Sequence, residues 1–427
     1  MHGDSLASQT SLVLIQLALV LIAAKFGAEI AVRWAKQPAV IGELVAGIAI
    51  GPFALGGIPL PFSGLALFPI DAASGPIPVS AALYVFTQVG AAVLLFTAGL
   101  ETDLNQFARY GARAALVAAG GVVGPFVLVA GAAVIFGLAP EISSPGALFL
   151  GAVVTATSVG ITARVLTDLR ALRTPEGTTI IGAAVVDDVL GILVLAIVIS
   201  VAGTASVSVV DLSLAAGKAL LAWVLMVGVT ALLGDVLSKF LLRLRSEGAY
   251  LGLGLALALL VGLLAEQVGL AFIIGAYSVG LGLSRTPVAE HLIEALKPVA
   301  HALVPPFFVV MGMLVDLSAI LPVLGVGIAL SVLAAIGKIA GCGLPALAAG
   351  YGRAGALRIG FGMLPRGEVA LIVAGTGLSS GLIDRQLFGV AVLITLLTTL
   401  PAPWLLERSF GGKQAASGGP APAPLAS

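Results

Sequence analysis

The sequence predicts an all-α polytopic membrane protein with about thirteen transmembrane helices, on three observations. Only 10% of its 427 residues are charged and 59% are hydrophobic, whereas a soluble domain carries about 25% charged residues. Apolar stretches long enough to cross the roughly 30 Å hydrocarbon layer recur from end to end. Lys and Arg then gather in every second connection between those stretches.

Read by length between turn and charge signals, the spans fall near residues 11–35, 39–58, 80–100, 113–137, 146–167, 179–202, 212–240, 247–266, 269–284, 295–315, 319–350, 356–379 and 386–408. The division between the eighth and ninth is the weakest boundary. The 55 glycines suit close helix packing and broken helices, which a membrane tolerates when neighbours re-satisfy the backbone. Zero net charge carries no sign of a nucleic-acid partner. The single cysteine, Cys342, excludes an intrachain disulfide framework and a cysteine-based metal site. Three histidines without metal-like spacing leave no transition-metal centre to expect, and no cofactor motif is present.

The odd-numbered connections carry Arg33/Lys36, Arg109/Arg113, Arg164/Arg170/Arg173, Lys239/Arg243/Arg245, Arg285/Lys297 and Arg353/Arg358. The alternate ones carry Asp71, Glu141, Asp211, Glu266 and Asp316, with Lys218 and Arg385 as exceptions. The positive-inside rule therefore puts the N-terminus outside and the C-terminus in the cytoplasm. The first span is read as retained, because its front carries Asp4 and lacks the basic residues of a signal peptide. The Gly/Ala/Pro/Ser-rich stretch from Gly411 to Ser427 is expected to be a disordered tail, with no cytoplasmic regulatory domain.

Glu43, Asp187, Asp188, Lys338, Arg366 and Glu368 fall away from span ends, where a charge costs at least ~2.5–3.5 kcal/mol on insertion scales. Asp187 and Asp188 sit halfway along a span. Successive helical residues are rotated by about 100°, so one aspartate can face a protein partner while the other faces a water-filled cavity. Mutual repulsion and partial burial favour a carboxyl that accepts either a proton or a small hard cation. The bland alternative is an ion-pair network that only orders helices. Lys338 is too far from either span end to snorkel easily, and its natural partner is one of the aspartates. The hydroxyl-rich Thr155–Thr162 stretch and the Gly360–Glu368 stretch, with three glycines, Pro365 and the charges Arg366 and Glu368, look like interruptions that offer free carbonyls and helix ends to an ion. Hydroxyls alone would be weak evidence, since Ser and Thr routinely bond their own helix. Glu43 is read as structural, and the Gly47/Gly51 spacing is too common here to interpret.

Several stretches, in order, carry a resemblance: Gln37-Pro38-Ala39-Val40-Ile41-Gly42-Glu43-Leu44-Val45-Ala46-Gly47, Leu95-Phe96-Thr97-Ala98-Gly99-Leu100-Glu101-Thr102-Asp103-Leu104, Thr157-Ser158-Val159-Gly160-Ile161-Thr162-Ala163, Val186-Asp187-Asp188-Val189-Leu190-Gly191, Phe307-Phe308-Val309-Val310-Met311-Gly312-Met313 and Pro365-Arg366-Gly367-Glu368-Val369-Ala370-Leu371. To about Arg408 the chain resembles the monovalent cation:proton antiporter superfamily, in the branch of the bacterial thirteen-helix Na+/H+ antiporters and the potassium-efflux antiporters. The resemblance implies two inverted repeats with crossed broken helices, a core that moves against a dimerisation scaffold, and a homodimer in the inner membrane. It divides the chain into scaffold (1–105), core repeat one (106–205), linker helix (206–245), scaffold (246–317), core repeat two (318–410) and tail (411–427). By position it makes Asp188 the ion- and proton-binding carboxylate, with Thr157 and Ser158 beside it and Asp187 paired to Lys338. Arg366 and Glu368 would be charge partners in the second broken helix.

The implied activity is transport, not enzymatic catalysis: elevator-type exchange of Na+ or another monovalent cation for H+. The Asp-Asp pair and the lack of a nucleotide-binding domain favour sodium over the potassium-efflux side. A K+/H+ antiporter of the same fold is the nearest rival. A passive cation channel is a more distant one, and no constellation for a membrane enzyme is visible.

Overall fold

The computed structural model describes residues 6–59, 66–70, 78–201, 209–246, 248–379 and 381–411. Asp4, Asp71 and the expected disordered tail beyond 411 lie outside them, as does the Glu368 side chain. Within the described residues the regular structure is helical, apart from one isolated bridge between Pro59 and Ala66. The helices are α1 (Leu6–Glu29), α2 (Ala39–Ile50), α3 (Ala81–Glu101), α4 (Leu104–Ile135), α5 (Pro145–Val153), α6 (Val159–Asp168), α7 (Pro175–Val201), α8 (Val209–Arg243), α9 (Ala249–Gln267), α10 (Phe272–Leu283) and α11 (Val288–Met313). After them come α12 (Leu317–Ile320), α13 (Leu324–Ala348), α14 (Arg353–Gly362), α15 (Glu368–Ser379), α16 (Arg385–Thr399) and α17 (Ala402–Ser409).

Among the described residues, ten helical stretches are long and apolar enough to cross a membrane, and α10 is a shorter apolar helix. Two further segments are interrupted, α5/α6 by residues 154–158 and α14/α15 by residues 363–367. They coincide with the two stretches that read as broken in the sequence. The uncertain boundary after residue 266 is a real break too: α9 ends at Gln267, and α10 begins at Phe272.

Several helix starts differ from the hydropathy reading. α4 begins at Leu104 rather than near 113, because Asp103 caps it by accepting from Asn105 N at 2.8 Å and Gln106 N at 3.0 Å. Arg109 and Arg113 are therefore helical, not in a connection. α7 begins at Pro175 and α11 at Val288, which brings Lys297 into a helix. Arg164 lies within α6, bonded to Asp168 at 3.0 Å, and Arg358 within α14, bonded to Glu176 at 2.9 Å. Hydropathy registers only the apolar part of each helix. Polar first turns that extend beyond it are set by caps and ion pairs.

The packing rests on close backbone approaches. Along the α4–α13 crossing, a Cβ at Gly120 would overlap the Gly341 carbonyl, and one at Gly341 would overlap the Gly120 carbonyl. A Cβ at Gly337 would stand 2.7 Å from Pro125 Cα, and one at Gly121 would stand 2.5 Å from Cys342 Sγ. Small residues here let two helices meet backbone to backbone, as membrane packing requires. Between them lies the fully buried Cys342. Gly47, uninformative in sequence, does the same on α2, where a Cβ would overlap the Val309 carbonyl of α11. The opposite extreme is α8, whose Leu221, Val224, Leu225, Leu232 and Val236 are exposed; a row of large apolar side chains of this kind suits lipid.

Gly341→Val is expected to force α13 away from α4 at a cost of ~1–3 kcal/mol, the usual range for overpacking. Thermal unfolding in detergent micelles measures it, and an unchanged midpoint would mean the seam has slack.

Candidate functional site

The two interruptions cross each other. Ser158 N donates to Pro365 O at 2.8 Å, Thr157 Oγ1 to Met363 O at 3.1 Å, and Thr162 Oγ1 to Gly362 O at 2.7 Å. The carbonyls freed at the end of α14 are thus satisfied by hydroxyls of the first broken segment. Ser158 also caps α6, its Oγ accepting from Ile161 N at 3.4 Å. Gly367 passes so near that a Cβ would stand 2.7 Å from Ser158 Oγ.

The carbonyls freed at the end of α5 are satisfied differently, by cations. Lys338 Nζ donates to Thr155 O at 2.6 Å. Arg366 Nη1 donates to Val154 O and, at 3.1 Å, to Ala156 O. The partial negative charge of a helix C-terminus favours such placement. Arg366 is clasped again through its backbone, its N donating to Thr399 Oγ1 at 3.0 Å while Thr399 Oγ1 donates to Arg366 O at 2.6 Å. Its Nε and Nη2 are buried with no hydrogen-bond partner among the described residues.

Lys338 completes its shell with Asp187, 3.2 Å from each carboxylate oxygen, and the two side chains are 0% and 1% exposed. α13 delivers the lysine and α7 the aspartate, both packed on α4. The next residue, Asp188, is half-buried. It lines a cavity of about 340 Å³ with Thr155, Ala156, Asp187, Gly191, Leu270 and, at the exposed rim, Glu266. A second void, about 10 Å³, lies between Asp188, Thr157, Ser158 and Gly367. That is near the minimum that admits one water-sized guest. Asp187 is therefore held by a cation at the wall of the larger cavity, while Asp188 borders both that cavity and the small void beside Thr157 and Ser158.

Of the residues singled out in the sequence, Asp187, Asp188, Thr157, Ser158, Lys338 and Arg366 come together here. Arg366 spends itself on carbonyls of the first broken segment. The Glu368 side chain lies outside the described ones. Glu43 is away from the cluster, buried in α2 with Oε2 lacking a hydrogen-bond partner. Sequence reasoning missed Thr399 and Glu266. Thr399 is an ordinary threonine in an apolar span and gave no signal. Glu266 stood out only as an acidic residue in a connection without basic neighbours.

Comparison with known proteins bears on the chain as a whole. Residues 17–408 match the family described as sodium/hydrogen exchanger, transmembrane. The chain is 35% identical over 407 residues to the Na(+)/H(+)-K(+) antiporter GerN of Bacillus cereus, covering 94% of this chain and 97% of that one. It is 36% identical over 441 residues to the high-affinity Na(+)/H(+) antiporter NhaS3 of Synechocystis, covering 96% and 93%. In fold it is similar to the sodium proton antiporter MjNhaP1 of Methanocaldococcus jannaschii, with a TM-score of 0.69 at 18% identity, covering 99% of this chain and all of that one. With a family match over nearly its whole length and crossed half-helices around paired carboxylates, this chain is a member of the sodium/hydrogen exchanger family.

Proposed function

We propose that the protein exchanges Na+, or another monovalent cation, for H+ across the membrane, with Asp188 as the shared binding carboxylate. The observation that carries this reading is the unequal placement of the adjacent aspartates. Asp187 is locked to Lys338 at 3.2 Å, while Asp188 lines both the larger cavity and the ion-sized void. A carboxylate reached by water holds a cation or a proton, not both, and that exclusivity couples the two fluxes. The names of GerN and NhaS3 support Na+. The name of GerN also includes K+, so potassium stays as the second reading.

Thr157 and Ser158 supply oxygen ligands to an ion at Asp188, as suits a small hard cation that keeps some of its water. A cation drawing on Asp187 would loosen the Lys338 bond and free a second proton, which makes two H+ per cation the scheme to test. Counting each interrupted pair as one crossing gives thirteen spans. On that count the positive-inside reading puts the C-terminus in the cytoplasm and opens the Glu266 side of the cavity outward. α4–α7 and α13–α17 would form a core that shifts as a unit against α1–α3 and α9–α11, with α8 as linker, in a homodimer.

In proteoliposomes, Asp188→Asn is expected to reduce Na+-driven proton flux to background, and exchange at the wild-type rate would overturn the assignment. Proton flux driven by Na+, Li+ and K+ in turn ranks the cations, and uncoupled cation leak without a pH gradient would indicate a channel. Flux that responds to an imposed membrane potential supports the two-proton scheme; indifference to it removes that scheme. Lys338→Ala, which strands the Asp187 carboxylate in an apolar interior, is expected to cost ~3–5 kcal/mol, read as a large fall in the thermal midpoint. Asp187→Asn in the same background should restore part of it.

A further inference from the structure

Away from the crossover, a second cavity of about 430 Å³ opens on the arginine-rich face, lined by Glu101, Thr167, Arg170, Leu172, Arg173, Ile293 and Lys297. Its charge is the reverse of what a cation needs, with three cations set against one carboxylate. Asp168 does not redress the balance, because it is bonded to Arg164 at 3.0 Å. Arg173 is fixed through Nε, which donates to Glu101 O at 2.7 Å. Arg170, Arg173 and Lys297 are all exposed, and no ion-pair partner is recorded for any of them among the described residues.

Thr167, on the lining, leaves its Oγ1 without a hydrogen-bond partner among the described residues. Arg170, at φ 53°, is the residue just past the end of α6, where Arg170 N donates to Thr167 O at 2.9 Å and Ala171 N to Leu166 O at 2.8 Å, the paired bonds that close a helix C-terminus. The two arginines are thus carried by a turn fixed through its own backbone.

We infer that this crevice binds a phosphate-bearing anion, either the headgroup of an acidic phospholipid or a soluble phosphate. Guanidinium groups recognise phosphate oxygens through paired N–H donors. The volume is in the range of small-molecule sites and exceeds what a bare phosphate fills. Basic pockets between transmembrane helices are a known habitat of acidic headgroups. The walls come from α3 and α11 on one side and from the α6–α7 connection on the other. An occupant would therefore bridge the two parts that the proposed exchange mechanism moves against each other; that consequence, unlike binding itself, rests on the reading above.

The test is thermal unfolding of the purified full-length protein in neutral detergent, with added phosphatidylglycerol, phosphatidylcholine or inorganic phosphate at matched ionic strength. A ligand that binds only the folded state raises the midpoint. Phosphatidylglycerol is expected to raise it by about 3 °C or more, and phosphatidylcholine to leave it unmoved. The same rise with inorganic phosphate identifies a soluble ligand, and a rise with phosphatidylglycerol alone identifies a lipid. Arg170→Gln/Arg173→Gln/Lys297→Gln should abolish the shift, whereas Lys239→Gln/Arg243→Gln/Arg245→Gln, which removes three cations near the end of α8, should keep it. If the first triple variant does not fold, Lys297→Gln alone should weaken phosphatidylglycerol binding several-fold. The proposal is overturned if neither anion shifts the wild type, if the crevice variants keep the full shift, or if both triple variants lose it equally. Because the readout is binding, a negative result leaves the exchange assignment untouched, and a transport-dead Asp188→Asn protein should still bind the anion.

Discussion

A lysine and an aspartate share a site in this protein from which water is excluded. Each would be very costly alone in such a medium, and together they repay the cost only with good geometry and further bonds. Lys338 obtains that geometry from three directions: both oxygens of Asp187, and the Thr155 carbonyl left free by the break after α5. The glycine seam between α4 and α13 lets α13 come close enough to deliver the ammonium. The break supplies the third ligand. The pair fixes Asp187 at the wall of the larger cavity, and the next carboxylate, Asp188, borders both that cavity and the small void. Seam, break and cavity-lining carboxylate are parts of one solution to burying a charge.

That dependence explains which features could be read in advance. Mid-span charges are costly enough that Asp187, Asp188, Lys338 and Arg366 stand out one by one, and a single lysine among aspartates nearly dictates its partner. The broken spans were legible because hydroxyls, glycines and a proline gather where an unbroken helix would have leucine. Helix ends were less legible. Arg109, Arg113 and Lys297 looked like loop residues, yet they belong to polar helical turns whose start is set by a local cap such as Asp103. The hardest features to foresee were those that depend on two distant segments meeting. Gly120 and Gly341 are ordinary until the crossing brings them together, and Thr399 gains meaning only against the backbone of Arg366. Nothing in the neighbourhood of Arg366 announces that its Nη1 reaches over 200 residues back to the first broken segment.

The two half-helix ends that meet at the crossover are not electrically equivalent. The end of α14 is closed by neutral hydroxyls from Thr157 and Thr162, the end of α5 by the cations Lys338 and Arg366. One end thus carries fixed positive charge, and the other is polar but neutral. The crossover is therefore polarised across its own middle, and the two broken segments are not interchangeable: a neutral substitution at Lys338 or Arg366 strips the α5 end of its charge, whereas none of the groups closing the α14 end carries one to lose.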